Sequence, residues 1–104
     1  MDTPEIDIEQ LAVARPDGVV LDVRERSEFV EGHVPGAVLV PMGQLPAHMG
    51  ELDRERDIYV ICASGNRSSA MTDLLRAAGF DAVSVAGGTN AWVESGRPIE
   101  RGLS

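Results

Sequence analysis

At 104 residues with a 43% hydrophobic content, the chain is long enough for one modest core and too apolar for disorder. A net charge of −8 argues against nucleic acid or an anionic membrane as partner, and a single cysteine excludes an internal disulfide and any multi-cysteine metal site. The nine basic residues are all arginine, a usage that follows genome composition more readily than function.

The first residues, Met1-Asp2-Thr3-Pro4-Glu5, are acidic and lack an apolar run, so no signal peptide is expected. No stretch approaches the length needed to span a membrane, and the lone thiol suits a reducing compartment. The expectation is a cytoplasmic protein with one domain over residues 1–104, loose at 1–4 and 100–104.

Asp7 reads as an N-cap with Gln10 three residues on, and Ile6 and Leu11 are placed as a hydrophobic staple, giving a first helix to about Ala14. Pro16-Asp17-Gly18 turns the chain. Val19–Val23 is an apolar strand interrupted only by Asp22, and a short helix through Phe29 and Val30 closes at Gly32. The loop His33-Val34-Pro35-Gly36 leads to a third apolar run, Ala37–Val40, ended by Pro41. Gln44–Leu52 is weakly helical, with Pro46 near its start and Gly50 near its end. Asp53–Asp57 is a charged connection of mixed sign.

Ile58-Tyr59-Val60-Ile61-Cys62 then reads as a buried strand ending at the only cysteine. A turn carrying Gly65 and Asn66 follows, and then a helix whose apolar face is Met71, Leu74, Leu75 and Ala78 at i, i+3, i+4 and i+7. Arg76 lies in its last turn and Gly79 is placed as a left-handed stop. Ala82–Val85 is the last strand. Gly87-Gly88 opens a short helix around Trp92, stopped by Gly96 and Pro98. Short apolar runs alternating with helices indicate a parallel sheet covered on both faces, with its ligand site beyond the carboxyl ends of the strands.

Cys62, Asp22, Arg24 and Gly87-Gly88 all fall at those ends. A thiol at a helix amino end faces unpaired N–H groups and the positive end of the helix dipole, and Arg67 adds a full charge. Such a field favours the thiolate, which is the nucleophile. The bland alternative, a buried cysteine acting as a small hydrophobe, yields to the convergence of Gly65, Arg67 and the helix start on one sulfur.

Asp22 ends an apolar strand and needs partners, loop amides or a nearby arginine, so its expected role is structural. Arg24 either faces the cysteine loop or pairs with Glu25 or Glu28. His33 reads as a hydrogen-bonded loop anchor rather than a base, and His48 as a solvent-facing residue. Two histidines and one cysteine without ligand spacing do not suggest a metal. Trp92 is most simply a core residue. Gly87-Gly88 serves either a ligand's approach or a tight turn.

Taken together, Leu21-Asp22-Val23-Arg24-Glu25, Glu28-Phe29, Gly32-His33-Val34-Pro35-Gly36-Ala37, Val60 through Ser68, Gly87-Gly88, Ala91-Trp92 and Gly96-Arg97-Pro98 resemble the rhodanese homology domain in its single-domain form. The resemblance covers nearly the whole chain. It implies an α/β fold with a five-stranded parallel sheet flanked by helices, and sulfur transfer through a cysteine persulfide. It implies Cys62 as sulfur acceptor and Arg67 as the cation closing the loop, together the expected catalytic residues. Ala63, Ser64, Gly65, Asn66 and Ser68 are the expected substrate-binding residues, with Asp22 and Arg24 in support.

No resident cofactor or metal is implied beyond the covalent persulfide. The implied partners are a small sulfur donor and a thiol or cyanide acceptor, with thioredoxin or a sulfur-relay protein as candidates, and the chain is a monomer or a homodimer.

Four residues separate Cys62 from Arg67. Cysteine phosphatases, including those that resemble this fold, have five, enough for a tetrahedral phosphate, so the phosphatase reading ranks last. A non-catalytic interaction or sulfur-carrier module ranks second, because such modules usually lack the loop cysteine. A loop with Arg67 as its one cation, on an acidic chain, leans toward persulfide or polysulfide donors over thiosulfate.

Overall fold

The computed structural model describes residues 3–103. Five strands, β1 (Glu5–Ile6), β2 (Val19–Asp22), β3 (Val38–Leu39), β4 (Ile58–Ile61) and β5 (Ala82–Val85), form one sheet in the order β1-β5-β4-β2-β3. All pairings are parallel, and Val60 of β4 stands beside Leu21 on one side and Ser84 on the other. The helices are α1 (Ile8–Ala14), α2 (Arg26–Glu31), α3 (Leu45–His48), α4 (Asn66–Ala77) and α5 (Gly88–Glu94). Among the described residues no helix is long and apolar enough to cross a membrane.

Side chains alternate across a strand, and the alternation sorts this core into two layers. Leu21, Val23, Ile58, Val60, Cys62 and Ala82 pack on one face with Leu45 of α3 and Leu75 of α4. Val20, Tyr59, Ile61 and Val85 pack on the other with Leu11 of α1 and Trp92 of α5. Trp92 is core, as expected, and its indole Nε1 donates to the Pro98 carbonyl at 2.8 Å. The parity that buries Ile58 and Val60 under α4 also delivers Cys62 to the α4 face.

Local chemistry explains most element ends. Asp7 Oδ1 accepts from the Gln10 amide at 2.8 Å, and Gln10 Oε1 accepts from the Asp7 amide at 2.9 Å, closing the capping box of α1. The helix α4 ends in a Schellman arrangement: the Phe80 amide donates to the Leu75 carbonyl and the Gly79 amide to that of Arg76, with Gly79 at φ +93°.

The structure adds a strand and redraws several expected elements. Ile6 packs against the cluster of Leu11, as a staple residue is expected to, and also lies in β1, a two-residue edge strand paired with β5 and too short to show a period. The expected helix over Gln44–Leu52 is broken into a 3-10 turn, the four-residue α3 and a second 3-10 turn, as Pro46 and Gly50 dictate. The runs Val19–Val23 and Ala37–Val40 are trimmed to β2 and β3.

The chain end, expected to be loose from 100, is tied down as far as Gly102. His33 and Glu100 exchange backbone hydrogen bonds at 2.9 Å, and the Gly102 amide donates to the Val30 carbonyl. These are non-local backbone contacts that no periodicity announces. At the other end Pro4 accepts from Ser84 and Thr3 Oγ1 bonds Asp73; Met1, Asp2 and Ser104 lie outside the described residues.

The carboxyl end of β2 is fixed by a buried ion pair. Asp22 has no exposed surface; its carboxylate accepts from the Arg24 amide at 3.0 Å and from Arg24 Nη2 at 2.8 Å. Arg24, 6% exposed, also donates to the Gly32 carbonyl at 2.9 Å, joining β2 to the end of α2. Its partner is therefore Asp22, and neither Glu25 nor the carboxylate of Glu28. Asp22→Ala strands that guanidinium in the interior and is expected to cost about 3–5 kcal/mol, read as a lower urea midpoint. Adding Arg24→Met is expected to restore part of the loss; a single-variant cost below about 1 kcal/mol would show the pair to be unimportant.

Candidate functional site

Cys62 follows the last residue of β4 and lies beneath the first turn of α4, 1% exposed. The Gly65 amide donates to its sulfur at 3.1 Å. Gly65 reaches that geometry with φ at +118°, a left-handed conformation that a side chain would strain. The hydroxyl of Ser68, one turn into α4, lies 3.4 Å from Sγ.

Two opposing effects set the charge of this thiol. Burial pushes its pKa up, but the Ser68 hydroxyl and the amides of Ser68, Gly65 and Ser64 together outweigh burial, and the net shift is down. The amides at the start of α4 have no intrahelical acceptor, so the anion satisfies groups that are otherwise unpaired. Of the expected loop donors, those of Ser64, Gly65 and Ser68 act on the sulfur. Ala63 is used differently: its carbonyl accepts from the Asn90 amide at 3.0 Å. Asn66 is an exposed residue opening α4.

Behind Ser68 stands a residue that the sequence reading passed over. Ser84 of β5 shares the parity of Ala82, faces α4 and is fully buried, with Oγ 2.8 Å from Ser68 Oγ. Ser68 Oγ also lies 3.1 Å from the Gly65 carbonyl. These distances fit two proton arrangements: with Cys62 a thiol, S–H can donate to Ser68 Oγ and Ser68 to Gly65 O; with Cys62 a thiolate, the Ser68 hydroxyl can donate to Sγ and that of Ser84 to Ser68 Oγ. A lone serine in an apolar strand, two residues from an inward alanine, was the available signal for Ser84.

The loop is anchored from outside by α5. The amide of Thr89 donates to the Cys62 carbonyl at 2.8 Å. A Cβ on Gly88 would sit 2.5 Å from that carbonyl oxygen and 2.6 Å from that of Ala63. What approaches Gly87-Gly88 is thus the cysteine loop itself, and the bare backbone lets it come that close.

Arg67 does not bond the sulfur. Its Nη1 and Nη2 bind the two Glu28 oxygens at 2.7 and 2.9 Å, an in-register pair of a planar guanidinium with a carboxylate. Glu28 is held down to about 2, chiefly by that hydrogen bond. Arg67 is pushed up, first by Glu28, with smaller contributions from Cys62 and Asp22. Glu28 also accepts from the Glu25 amide at 3.1 Å, so one side chain caps α2 and clamps α4.

A groove runs past Ala63 between α2 and α5, lined by Arg24, Glu28, Glu31, Gly32, Thr89, Asn90, Val93, Ile99 and Arg101. His33 is held at the end of α2, where Nδ1 bonds the Phe29 carbonyl at 2.8 Å and the ring stacks on Phe29. His48 is exposed and bonds Glu51 at 2.8 Å.

A family model described as "Rhodanese-like domain" matches residues 7–95. The chain is 34% identical over 99 residues to a sulfurtransferase of Allochromatium vinosum, covering 91% of this chain and 92% of that protein. It is 40% identical over 79 residues to a Bacillus subtilis protein provisionally named a sulfurtransferase, covering 76% and 77%. A rhodanese-related protein of Thermoplasma volcanium has a crystal structure that superposes with a TM-score of 0.90 at 34% identity, over 97% of this chain and 99% of that one.

The hydroxyl relay gives a pH signature. Because the Ser68 hydroxyl lowers the thiol's pKa, Ser68→Ala is expected to raise it, moving the pH profile of alkylation by iodoacetamide to higher pH. Ser84→Ala is expected to move it the same way by less. A profile unmoved by both substitutions would show that the amides alone set the charge.

Proposed function

The chain belongs to the rhodanese-like domain family, and from that premise we propose that it is a sulfurtransferase in which Cys62 carries the transferred sulfur as a persulfide. The observation that carries this reading is a buried sulfur ringed by donors, with the Gly65 amide at 3.1 Å and a thiol pKa lowered despite burial. That arrangement favours an anion, and a cradle of fixed dipoles serves the resting thiolate and a terminal persulfide alike.

In the first half-reaction the Cys62 thiolate attacks the outer sulfur of the donor. A bond forms between Sγ and that sulfur, and the bond from it to the rest of the donor breaks. The electron pair leaves with the remainder, a thiolate from an organic persulfide or sulfite from thiosulfate. In the second half-reaction a thiolate or cyanide attacks the terminal sulfur, yielding a new persulfide or thiocyanate and returning the Cys62 thiolate. No external oxidant or reductant is consumed, and the cycle needs no resident cofactor or metal.

On this reading Cys62 is the catalytic residue, and the amides of Ser64 and Gly65 with Ser68 hold the sulfur, while Ala63 and Asn66 shape the loop that presents them. Asp22 and Arg24 position the loop's surroundings. Thioredoxin or a sulfur-relay protein would satisfy the acceptor chemistry as well as a small thiol. A non-catalytic module needs no activated thiol, and a phosphatase needs a wider loop.

Incubation with glutathione persulfide is expected to add the mass of one sulfur atom to the protein, on Cys62, and a thiol or cyanide is expected to remove it. Cys62→Ser is expected to take up none and to lose turnover by on the order of a thousandfold or more. A protein that gains no sulfur from any donor, or that releases phosphate from an aryl phosphate, would refute the assignment.

A further inference from the structure

The groove beside the cysteine loop has a balanced charge. Arg24 is spent on Asp22 in the interior, and Arg67 is bound through both terminal nitrogens by Glu28. Arg101 stands on the groove wall with Glu31 and donates its Nε to the Glu31 carbonyl. Two of these guanidiniums are thus paired with carboxylates, Arg24 with Asp22 and Arg67 with Glu28, and the charge nearest the start of α4 is compensated in place.

The Arg67 and Glu28 side chains are 31% and 34% exposed, and Glu28 lines the groove that runs past Ala63. A donor entering by that groove meets the pair on its Glu28 side. Thiosulfate concentrates two negative charges in one small ion. An organic persulfide presents at most one at its reacting end, with any others many bonds away.

From this geometry we infer that Glu28 sets the donor class, cancelling the charge of the Arg67 guanidinium so that the site accepts organic persulfides and disfavours the thiosulfate dianion. The inference rests on the sulfurtransferase reading and adds a specificity-determining residue to it. Arg67, rather than offering a free charge to the donor, serves with Glu28 to join α2 to α4. The negative charge that develops on the sulfur is met by amides and a hydroxyl, which favour one charge on one atom and offer no counter-ion for a second.

Glu28→Gln tests this cleanly. A glutamine oxygen can still accept from the Glu25 amide, since Glu and Gln are equivalent at that position of a capping box, while the charge on Arg67 is released. We measure kcat/KM for thiosulfate and for glutathione persulfide in the wild-type protein, in Glu28→Gln and in Glu31→Gln, a second groove carboxylate whose side chain is not bound to Arg67. The thiosulfate-to-persulfide ratio is expected to rise about tenfold in Glu28→Gln, the effect of ~1.4 kcal/mol of charge interaction, and to become more salt-sensitive.

In Glu31→Gln the ratio is expected to stay near the wild-type value. An unchanged ratio in Glu28→Gln, or an equal rise in Glu31→Gln, would overturn the assignment of specificity to Glu28. Mass measurement of the wild-type protein separates the two levels of the argument. A protein that loads sulfur from persulfide but shows no ratio change defeats only the Glu28 inference, whereas one that loads no sulfur defeats the function beneath it.

Discussion

A buried sulfur can hold negative charge only where fixed donors replace the water it has lost, and the rest of this molecule arranges that replacement. The requirement is severe, because burial alone drives Cys62 toward the neutral thiol. The compensation comes from a strand parity and a helix start. β4 carries Ile58, Val60 and Cys62 to the α4 face, so the sulfur emerges under amides that the helix leaves unpaired. Neither element suffices alone: a strand end without α4 gives a hydrophobic cysteine, and a helix start without the buried strand gives a solvated turn.

The surrounding structure keeps those donors from relaxing away. The amides at the start of α5 grip the carbonyls of Cys62 and Ala63, so the Ala63–Ser64 peptide unit is held with its oxygen outward and its N–H toward the sulfur. Gly88 permits that approach. Two arginine pairs then tie the neighbouring elements together, Arg24 to Asp22 and to the end of α2, Arg67 to Glu28 across α2 and α4. Both guanidiniums act as clamps. The exposed one contributes less to stability than its bidentate geometry suggests, since water competes for both partners, whereas the buried one cannot lose its carboxylate without a large penalty.

Much of this was legible in the sequence. Apolar runs of four or five residues marked β2, β4 and β5, and the i, i+3, i+4, i+7 face marked α4, because both signals depend on neighbours close in the chain. The location of Cys62 between a strand and a helix followed from the same reading. The pieces that escaped are non-local. β1 is two residues that pair with a strand almost eighty positions away, and the chain end bonds α2 and His33 through backbone atoms that leave no side-chain signature. Asp22 was expected to find loop amides or a nearby arginine and finds both in Arg24, whereas Arg24 itself pairs with neither of the glutamates expected for it, Glu25 or the carboxylate of Glu28. Asp22 lies on the same side of extended backbone two residues earlier, and a charge leaving water pairs with the nearest carboxylate that is also buried. Ser84 could have been read from strand parity, but only once Ser68 was known to lie above it.

How the thiolate is stabilised also bears on how well it reacts. A full charge in contact with the sulfur would favour ionisation strongly, yet nucleophilicity falls as a thiol's pKa falls, and the best attacking thiol is one that titrates near the ambient pH. Here the nearest guanidinium is bound to Glu28, and the pull on the sulfur comes from amides and one hydroxyl set against the opposing push of burial. Opposed contributions of this kind lower the thiol's pKa without a full charge in contact with the sulfur. The Ser68–Ser84 relay adds a response to charge. Its hydroxyl protons can turn toward the sulfur when negative charge is there and toward the Gly65 carbonyl or each other when it is not, so the donor array need not shift its backbone as charge on the sulfur changes. A site built from orientable hydroxyls and rigid amides can thus meet a change of charge on the Cys62 sulfur by turning protons rather than by moving the chain.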